Sequence, residues 1–519
     1  MAVLRRFAGE LVLNAPVLPF LGFGVWRAWS TLSFSGRWLP TGMADVGNED
    51  VYLMFYISSI AFTLVCVLAF VLPQRVQAIL SKPVPTFFGG VVAGIGCVLL
   101  FAACYFNPGL FLDRPQGYAL FVLGSLLTGA GTGSICLRCG LLYCRLTPRR
   151  VLVYTAAAHL LTTLIYFVLL AVPERVFGEG ISWVIVTVFI LLPIVAGALV
   201  ALPVPTFLEK EALGSTYRKG GGESSSAESG LWKLALALFV FLVISRLARI
   251  DIELSSSLWD FQQSDSLSLL LLLLFSVSVL LLGLVPNTVK FNYGKTHVLF
   301  VIVLAIMVAM IPVIDPRNLI WASLMAFVER VLKFVVHCLL CFIGFGGRVH
   351  PIKVFGLGYG VFMLGDMAGM VLGSSLMPEV IASQSTSLFF LAMTGISLLV
   401  GLLLFTEKDV KDLLFADEEE EAFFETYFTR QDDELVDKGK GDRFKKVIRE
   451  IAEDYSLSDR EAEVLQYLAM GYSKEAIAKR LSISQNTVRS HSRSVYVKIG
   501  VHTRQDVIRL VETYEPRAR

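Results

Sequence analysis

YSKEAIAKRLSISQNTVRSH, Tyr472 to His491, sets two helix-forming runs around a short turn. Ser473 to Leu481 places Ile477, Ala478 and Leu481 at helical spacing, with Glu475 favourable near the positive end of the helix dipole. Ser482-Ile483-Ser484 then breaks the pattern, and a longer helix is expected from Gln485 to Ile499 with Val488, Val495 and Ile499 inward. Working outward, Ser458 and Glu461 have the spacing of a capping box ahead of a helix that buries Val464, Leu465 and Leu468 and stops at Gly471. On the far side, Thr503 to Glu512 reads as a fourth helix. The C-terminal residues 444–519 are thus expected to form a small four-helix domain.

Its charge has a direction. No acidic residue occurs between Glu475 and Asp506, while the outward face of the helix from Gln485 carries Arg489, Ser490 and Arg493, with Lys498 near its end. A helix of that kind suits phosphates and a DNA major groove. Ser484 and Thr487 at its N-terminus can cap it and touch backbone oxygens, and the dipole favours a phosphate there. The pattern through Leu457, Arg460, Glu461, Gly471, Glu475, Ile477, Ala478, Leu481, Thr487, Val488, His491, Lys498, Val501 and Arg504 closely resembles the C-terminal helix-turn-helix domain of LuxR-type regulators over about sixty residues. The resemblance implies base reading from Arg489, Ser490 and Arg493, and a homodimer through the fourth helix. Ala476 and the run Ser492 to Ser494 depart from the family, the latter by making the middle of the recognition helix more polar, both with a bearing on the preferred DNA sequence.

Upstream the chain changes character. Residues 406–443 hold 14 acidic against 6 basic side chains, including Asp417 to Glu421 and Asp432-Asp433-Glu434, and read as an acidic linker. Such a segment is a solvated spacer or a competitor of phosphate for Arg489 and Arg493. Residues 1–405 carry 25 basic and 19 acidic residues among a great excess of apolar ones. Over the whole chain 55% of residues are hydrophobic and the mean hydropathy is +0.67, which excludes an ordinary soluble protein.

Apolar runs long enough to cross a bilayer as helices lie near 11–33, 51–72, 86–106, 118–143, 150–172, 181–203, 231–248, 266–286, 297–314, 318–343, 353–375 and 386–405. Twelve spans put both termini on one side. With that side taken as cytoplasmic, the inner loops hold Arg75, Lys82, Arg145, Arg149, Arg150, Lys210, Arg218, Lys219, Lys290, Lys295, Arg348 and Lys353, in keeping with the positive-inside rule. Residues 204–230, with Gly220-Gly221-Gly222 and Ser224-Ser225-Ser226, form a flexible loop between two six-span halves. This organisation resembles the major facilitator superfamily of transporters. Those carry a Gly-x-x-x-Asp-Arg/Lys-x-Gly-Arg-Arg signature between spans two and three, where this chain reads LPQRVQAILSK, Leu72 to Lys82. The resemblance implies a cavity between the halves, lined by spans one, four, seven and ten.

Ionisable groups inside spans are costly unless paired or facing water. Arg138, Glu329, Arg330, Lys333 and Asp366 are the candidate ligand-binding residues, with Glu329 and Lys333 one helical turn apart, and the same charges could instead be an ion-pair network locking the halves. Cys136-x-x-Cys139 and Cys338-x-x-Cys341 place four thiols on corresponding spans, as a soft-metal or redox group or as small apolar residues; no metal ligand set is assigned. The sequence carries no Walker loop and no kinase or cyclase signature, so no enzyme activity and no cofactor are expected. The expected protein is all-α: a twelve-helix membrane sensor (1–405), an acidic linker (406–443) and the DNA-binding domain (444–519). It would sit multi-pass in a bacterial cytoplasmic membrane with both termini cytoplasmic, and bind double-stranded DNA in response to a small-molecule ligand. The alternative is a transporter with a regulatory DNA-binding tail.

Overall fold

A computed structural model of the chain describes residues 15–33, 48–106, 115–171, 183–204, 225–255, 258–284, 302–303, 305–311, 313–315, 318–346, 348–404, 406–414, 447–469, 472, 474–481, 483–501, 503, 506–507, 510–511 and 514. Among these no residue is in a strand. Backbone contacts divide the chain into two compact units, Met1–Thr429 and Arg430–Arg519.

The first unit is a bundle of long helices: α1 (Leu18–Ser33), α2 (Asn48–Val71), the short α3 (Pro73–Leu80), α4 (Pro83–Phe106), α5 (Pro115–Tyr143), α6 (Pro148–Tyr166), α7 (Trp183–Val200), α8 (Ser225–Ser255), α9 (Leu258–Leu284), α10 (Leu319–Gly346), α11 (Pro351–Ala382) and α12 (Thr386–Leu399). Proline opens α3, α6 and α11 at the position where its missing N–H costs nothing. Among the described helices seven are long and apolar enough to cross a membrane (α2, α4, α5, α6, α8, α9 and α11), and α7 and α12 hold shorter apolar stretches. The 28-residue α10 has the length, but its middle carries Glu329, Arg330 and Lys333. Of the twelve runs expected from sequence, eleven coincide with a helix. The ninth, 297–314, lies partly outside the described residues; residues 205–224 of the expected 204–230 loop and both acidic runs of the linker lie outside them, while 225–230, expected as loop, are helical and open α8.

The first half packs through α1 on α6 and α7, α4 on α5 and α7, and α2 on α5; the second through α8 on α11 and α9 on α10. The halves meet along α2–α11 and α6–α9. Counted in spans these are pairs 2–11 and 5–8, which exchange when each span is replaced by the one six positions away. Helix approach is close where small residues face each other. A Cβ at Gly96 of α4 would stand 2.7 Å from the Gly124 carbonyl of α5, so only glycine fits.

The expected linker begins with structure. Residues Glu407–Leu414 form α13, which packs on α8 and α10 and buries Val410, Leu413 and Leu414 in the core of the membrane unit. Thr406 and Asp409 cap it reciprocally, with Thr406 N donating to Asp409 Oδ2 at 2.8 Å, and Lys233 of α8 pairs with Asp409 at 2.7 Å. Arg348 donates to the Asp412 carbonyl. Burial would raise the Asp409 carboxyl, but the hydrogen bonds from Lys233 and Thr406 outweigh it and hold it below the usual carboxylate range.

The second unit contains a helix at 447–454, α14 (Asp459–Ala469), α15 (Lys474–Leu481) and α16 (Gln485–Ile499). The described residues of the expected fourth helix, 506–507 and 510–511, are helical, and Thr503 and Asp506 cap it reciprocally. Val464, Leu465, Leu468, Ile477, Ala478, Val488, Val495 and Ile499 form the core. The first helix adds Val447, Ile448 and Ile451, whose one-face spacing is visible in the sequence but lies before the Ser456 start of the apolar pattern.

Candidate DNA-reading face and membrane charge cluster

In the second unit α14 and α15 both pack on α16. The sequence directs α16 through its ends. Ser484 is extended and its Oγ accepts from Thr487 N at 3.1 Å, and Gly500 closes the helix in the left-handed conformation at φ 78°. With Val488, Ser492, Val495 and Ile499 inward, Arg489, Ser490 and Arg493 are left exposed on the opposite side. Thr487 is half-buried and its hydroxyl is engaged with Ser484 at 2.7 Å. Val497, 75% exposed, lies two turns beyond Ser490 on the same face; the sequence reading passed over it because an apolar residue there looks like core.

Lys498 behaves differently from the arginines. Its ammonium pairs with Glu461 at 2.7 Å and donates to the Ser456 carbonyl at 3.1 Å, tying the end of α16 to the start of α14. Glu461 closes the expected capping box, accepting from Ser458 N at 2.8 Å, and also accepts from the Ser494 hydroxyl. The Lys498 hydrogen bond, then those from Ser494 and the Ser458 backbone, pull the Glu461 carboxyl down to about 2. Ser494 and the fully buried Ser492 therefore face the domain interior, so the extra polarity of α16 is internal and does not lie on the reading face.

In the first unit four of the five candidate ligand residues come together. Lys333 pairs with Glu329 at 2.5 Å and reaches Asp366 of α11 at 3.5 Å. Arg330 binds Asp265 of α9 at 3.0 Å and donates to Ser268 Oγ at 3.1 Å. Arg249 of α8 binds Asp265 at 2.6 Å and Glu329 at 3.9 Å. Asp265 was missed because the apolar run of its span begins one residue later. Arg138 is not brought to this cluster: on α5, it donates from Nε to the Val200 carbonyl of α7 at 3.3 Å. Glu329 lies about 15 Å along α10 from its start, near mid-membrane depth for a spanning helix. There the six charged side chains keep 11–19% of their surface, which a sealed core would not leave them.

One turn on toward the C-terminus of α10, a closed aromatic layer follows. His337 stacks on Phe23 of α1 at 4.1 Å and hydrogen-bonds Tyr359 at 2.6 Å, while Tyr143 of α5 donates to the Phe20 carbonyl at 3.1 Å. Tyr143, His159 and His337 are buried. Cys136, Cys139, Cys338 and Cys341 are free thiols in the same core, and among the described residues no group of three or more His, Cys, Asp or Glu side chains is arranged to hold a metal.

Comparison with known proteins separates the two units in the same way. Residues 455–511 match the family described as GerE, bacterial regulatory proteins of the luxR family. The chain is 37% identical over 62 residues to the Fimbriae Z protein of Salmonella typhimurium, covering 12% of this chain and 30% of that one. It is 39% identical over 59 residues to the Fimbriae Z protein of Escherichia coli K12, covering 11% and 28%. The chain thus spans less than a third of these relatives. Among solved structures, a proton:xylose symporter of the major facilitator superfamily, XylE bound to 6-bromo-6-deoxy-D-glucose, superposes with a TM-score of 0.50 at 12% identity, covering 79% of this chain and 99% of the symporter.

Proposed function

From a chain whose C-terminal residues carry a luxR-family helix-turn-helix domain and whose larger unit has the fold of a major facilitator, we propose a membrane-bound one-component transcriptional regulator. The observation that carries this reading is α16, capped at both ends, buried on one side and presenting Arg489, Ser490 and Arg493 on the other. Arg489 and Arg493 contact phosphates and base edges of double-stranded DNA, and Ser484 and Thr487 sit where the helix dipole meets a phosphate. Lys498 acts as a positioning residue through Glu461. The protein crosses a bacterial cytoplasmic membrane twelve times with both termini inside, and dimerises on DNA through the fourth helix. No catalytic step is assigned.

The membrane unit is the sensor, and its ligand contacts Glu329, Arg330, Lys333 and Asp366. Signal passes by linkage: a ligand that prefers one arrangement of the halves biases the helices that α13 grips, and α13 leads into the acidic linker. Deleting 417–437 raises DNA binding if the linker competes with phosphate, and leaves it unchanged if the linker is a spacer. The test of the main reading is DNA binding by the purified full chain in nanodiscs, which Arg489→Glu abolishes. Uptake of a labelled ligand into vesicles would instead favour the transporter with a regulatory tail.

A further inference from the structure

Arg75 and Lys82 stand where the chain turns back between α2 and α4, one in the short α3 and one just after it. Both are exposed, and among the described residues neither side chain makes an ion pair or a hydrogen bond. No acidic residue lies between Val71 and Phe106 to supply a local partner. Ile79, one helical turn after Arg75 and one before Lys82, is 55% exposed. Helix α3 and the turn that follows it thus present one face, basic at both ends and apolar in the middle.

That face lies at a membrane boundary. The helices that α3 joins, α2 and α4, are both long and apolar enough to cross, so the turn between them stands at one edge of the bilayer. Val71 and Leu72 on one side of α3, and Val84 and Phe88 on the other, are exposed, which suits acyl chains and not water. Trp232 of α8, also exposed, packs edge-on against Phe70 of α2 at 5.6 Å, an amphipathic ring of the kind found at head-group level. At that depth Ile79 meets acyl chains, and Arg75 and Lys82 lift their charges to the head groups along their own apolar stems. We infer that this face is a docking surface for acidic phospholipid, whose phosphates pair with Arg75 and Lys82. A zwitterionic head group brings its own cation, whereas an acidic one leaves net negative charge for two unpartnered side chains. Because α3 packs on α2, α4 and α5 of the first half and on α11 of the second, lipid bound there holds a helix that touches both halves at their seam. The inference rests on the membrane-crossing reading of α2 and α4 and needs no ligand within the bundle.

The test places the full chain in phosphatidylcholine nanodiscs with phosphatidylglycerol raised from none to about half, and reads the heat-unfolding midpoint. The wild-type midpoint is expected to rise with phosphatidylglycerol and level off. Arg75→Gln and Lys82→Gln each move the half-saturating fraction upward about fivefold, the scale of one charge at an acidic surface, and the double variant shows no rise. In pure phosphatidylcholine all three variants unfold with the wild type, since neither side chain has a partner in the chain to lose. Arg489→Glu lowers the net charge as much as the double variant does and disables DNA binding on the reading above. It keeps the full lipid response, so failure of one reading is scored apart from failure of the other. A flat wild-type response, an equal rise in the double variant, a lower midpoint of the variants in pure phosphatidylcholine, or a rise lost in Arg489→Glu would overturn the proposal. So would the same rise produced by inorganic phosphate in pure phosphatidylcholine, which would make the partner a free anion.

Discussion

Glu461 and Glu329 are both carboxylates held against a lysine, and they sit in opposite kinds of surroundings. Around Glu461 donors and acceptor balance: one carboxylate takes Lys498, Ser494 and the Ser458 backbone, and nothing charged is left over. Around Glu329 three cations and three carboxylates pair in a chain that runs over four helices, and the cluster keeps contact with solvent. The first arrangement fixes a domain, and the second leaves polar surface accessible. The same contrast separates Lys498, tied down inside its domain, from Arg489 and Arg493, which stand exposed on its surface.

Reversing a charge on the open face has the largest expected effect. Arg489→Glu replaces an attraction to DNA by a repulsion, and we expect affinity to fall at least about 100-fold, measured by fluorescence anisotropy on the full chain, with unfolding unchanged. Disturbing the balanced site comes next. Glu461→Ala removes the reciprocal cap and strands Lys498, and destabilises the second unit by about 2 kcal/mol in denaturant titrations. Because Glu461 titrates at about 2 in the folded domain against an ordinary value of 4.5, its stabilisation is complete above pH 4.5 and is lost as pH falls toward 2. Glu461→Gln should flatten that part of the stability profile, and an unchanged profile would mean the carboxylate is not the group titrating. The smallest effect on stability is expected at α13. Lys233→Met breaks a pair that is half-exposed on the lysine side and costs about 0–1 kcal/mol, yet the proposed coupling requires a reporter gene to lose its ligand response. A full response in that variant would remove α13 from the route.

Legibility in the sequence followed the same division. The helices of the second unit from Asp459 to Ile499 were legible almost to the residue because they are amphipathic and capped by side chains of defined spacing: Ser458 with Glu461, Ser484 with Thr487, and Gly500. Its first helix escaped notice since Val447, Ile448 and Ile451 stand next to the charged linker. In the membrane unit the helices were legible from apolar length, but their partners were not. Apolar surface faces both lipid and protein there, so hydropathy does not say which side of α10 meets α9. Asp265 therefore went unseen, and Arg138, chosen for being a charge in a span, stands at α7 instead. Likewise α13 looks acidic in sequence while three of its eight residues, Val410, Leu413 and Leu414, are buried.

Whether the chain reads DNA while embedded in the membrane is decided by mapping DNA occupancy in cells by the intact, membrane-fraction protein beside its Arg489→Glu variant. Discrete promoter-proximal sites are expected, and the variant loses them at equal membrane abundance. Occupancy that survives Arg489→Glu, or that belongs only to fragments released from the membrane, would contradict membrane-embedded reading.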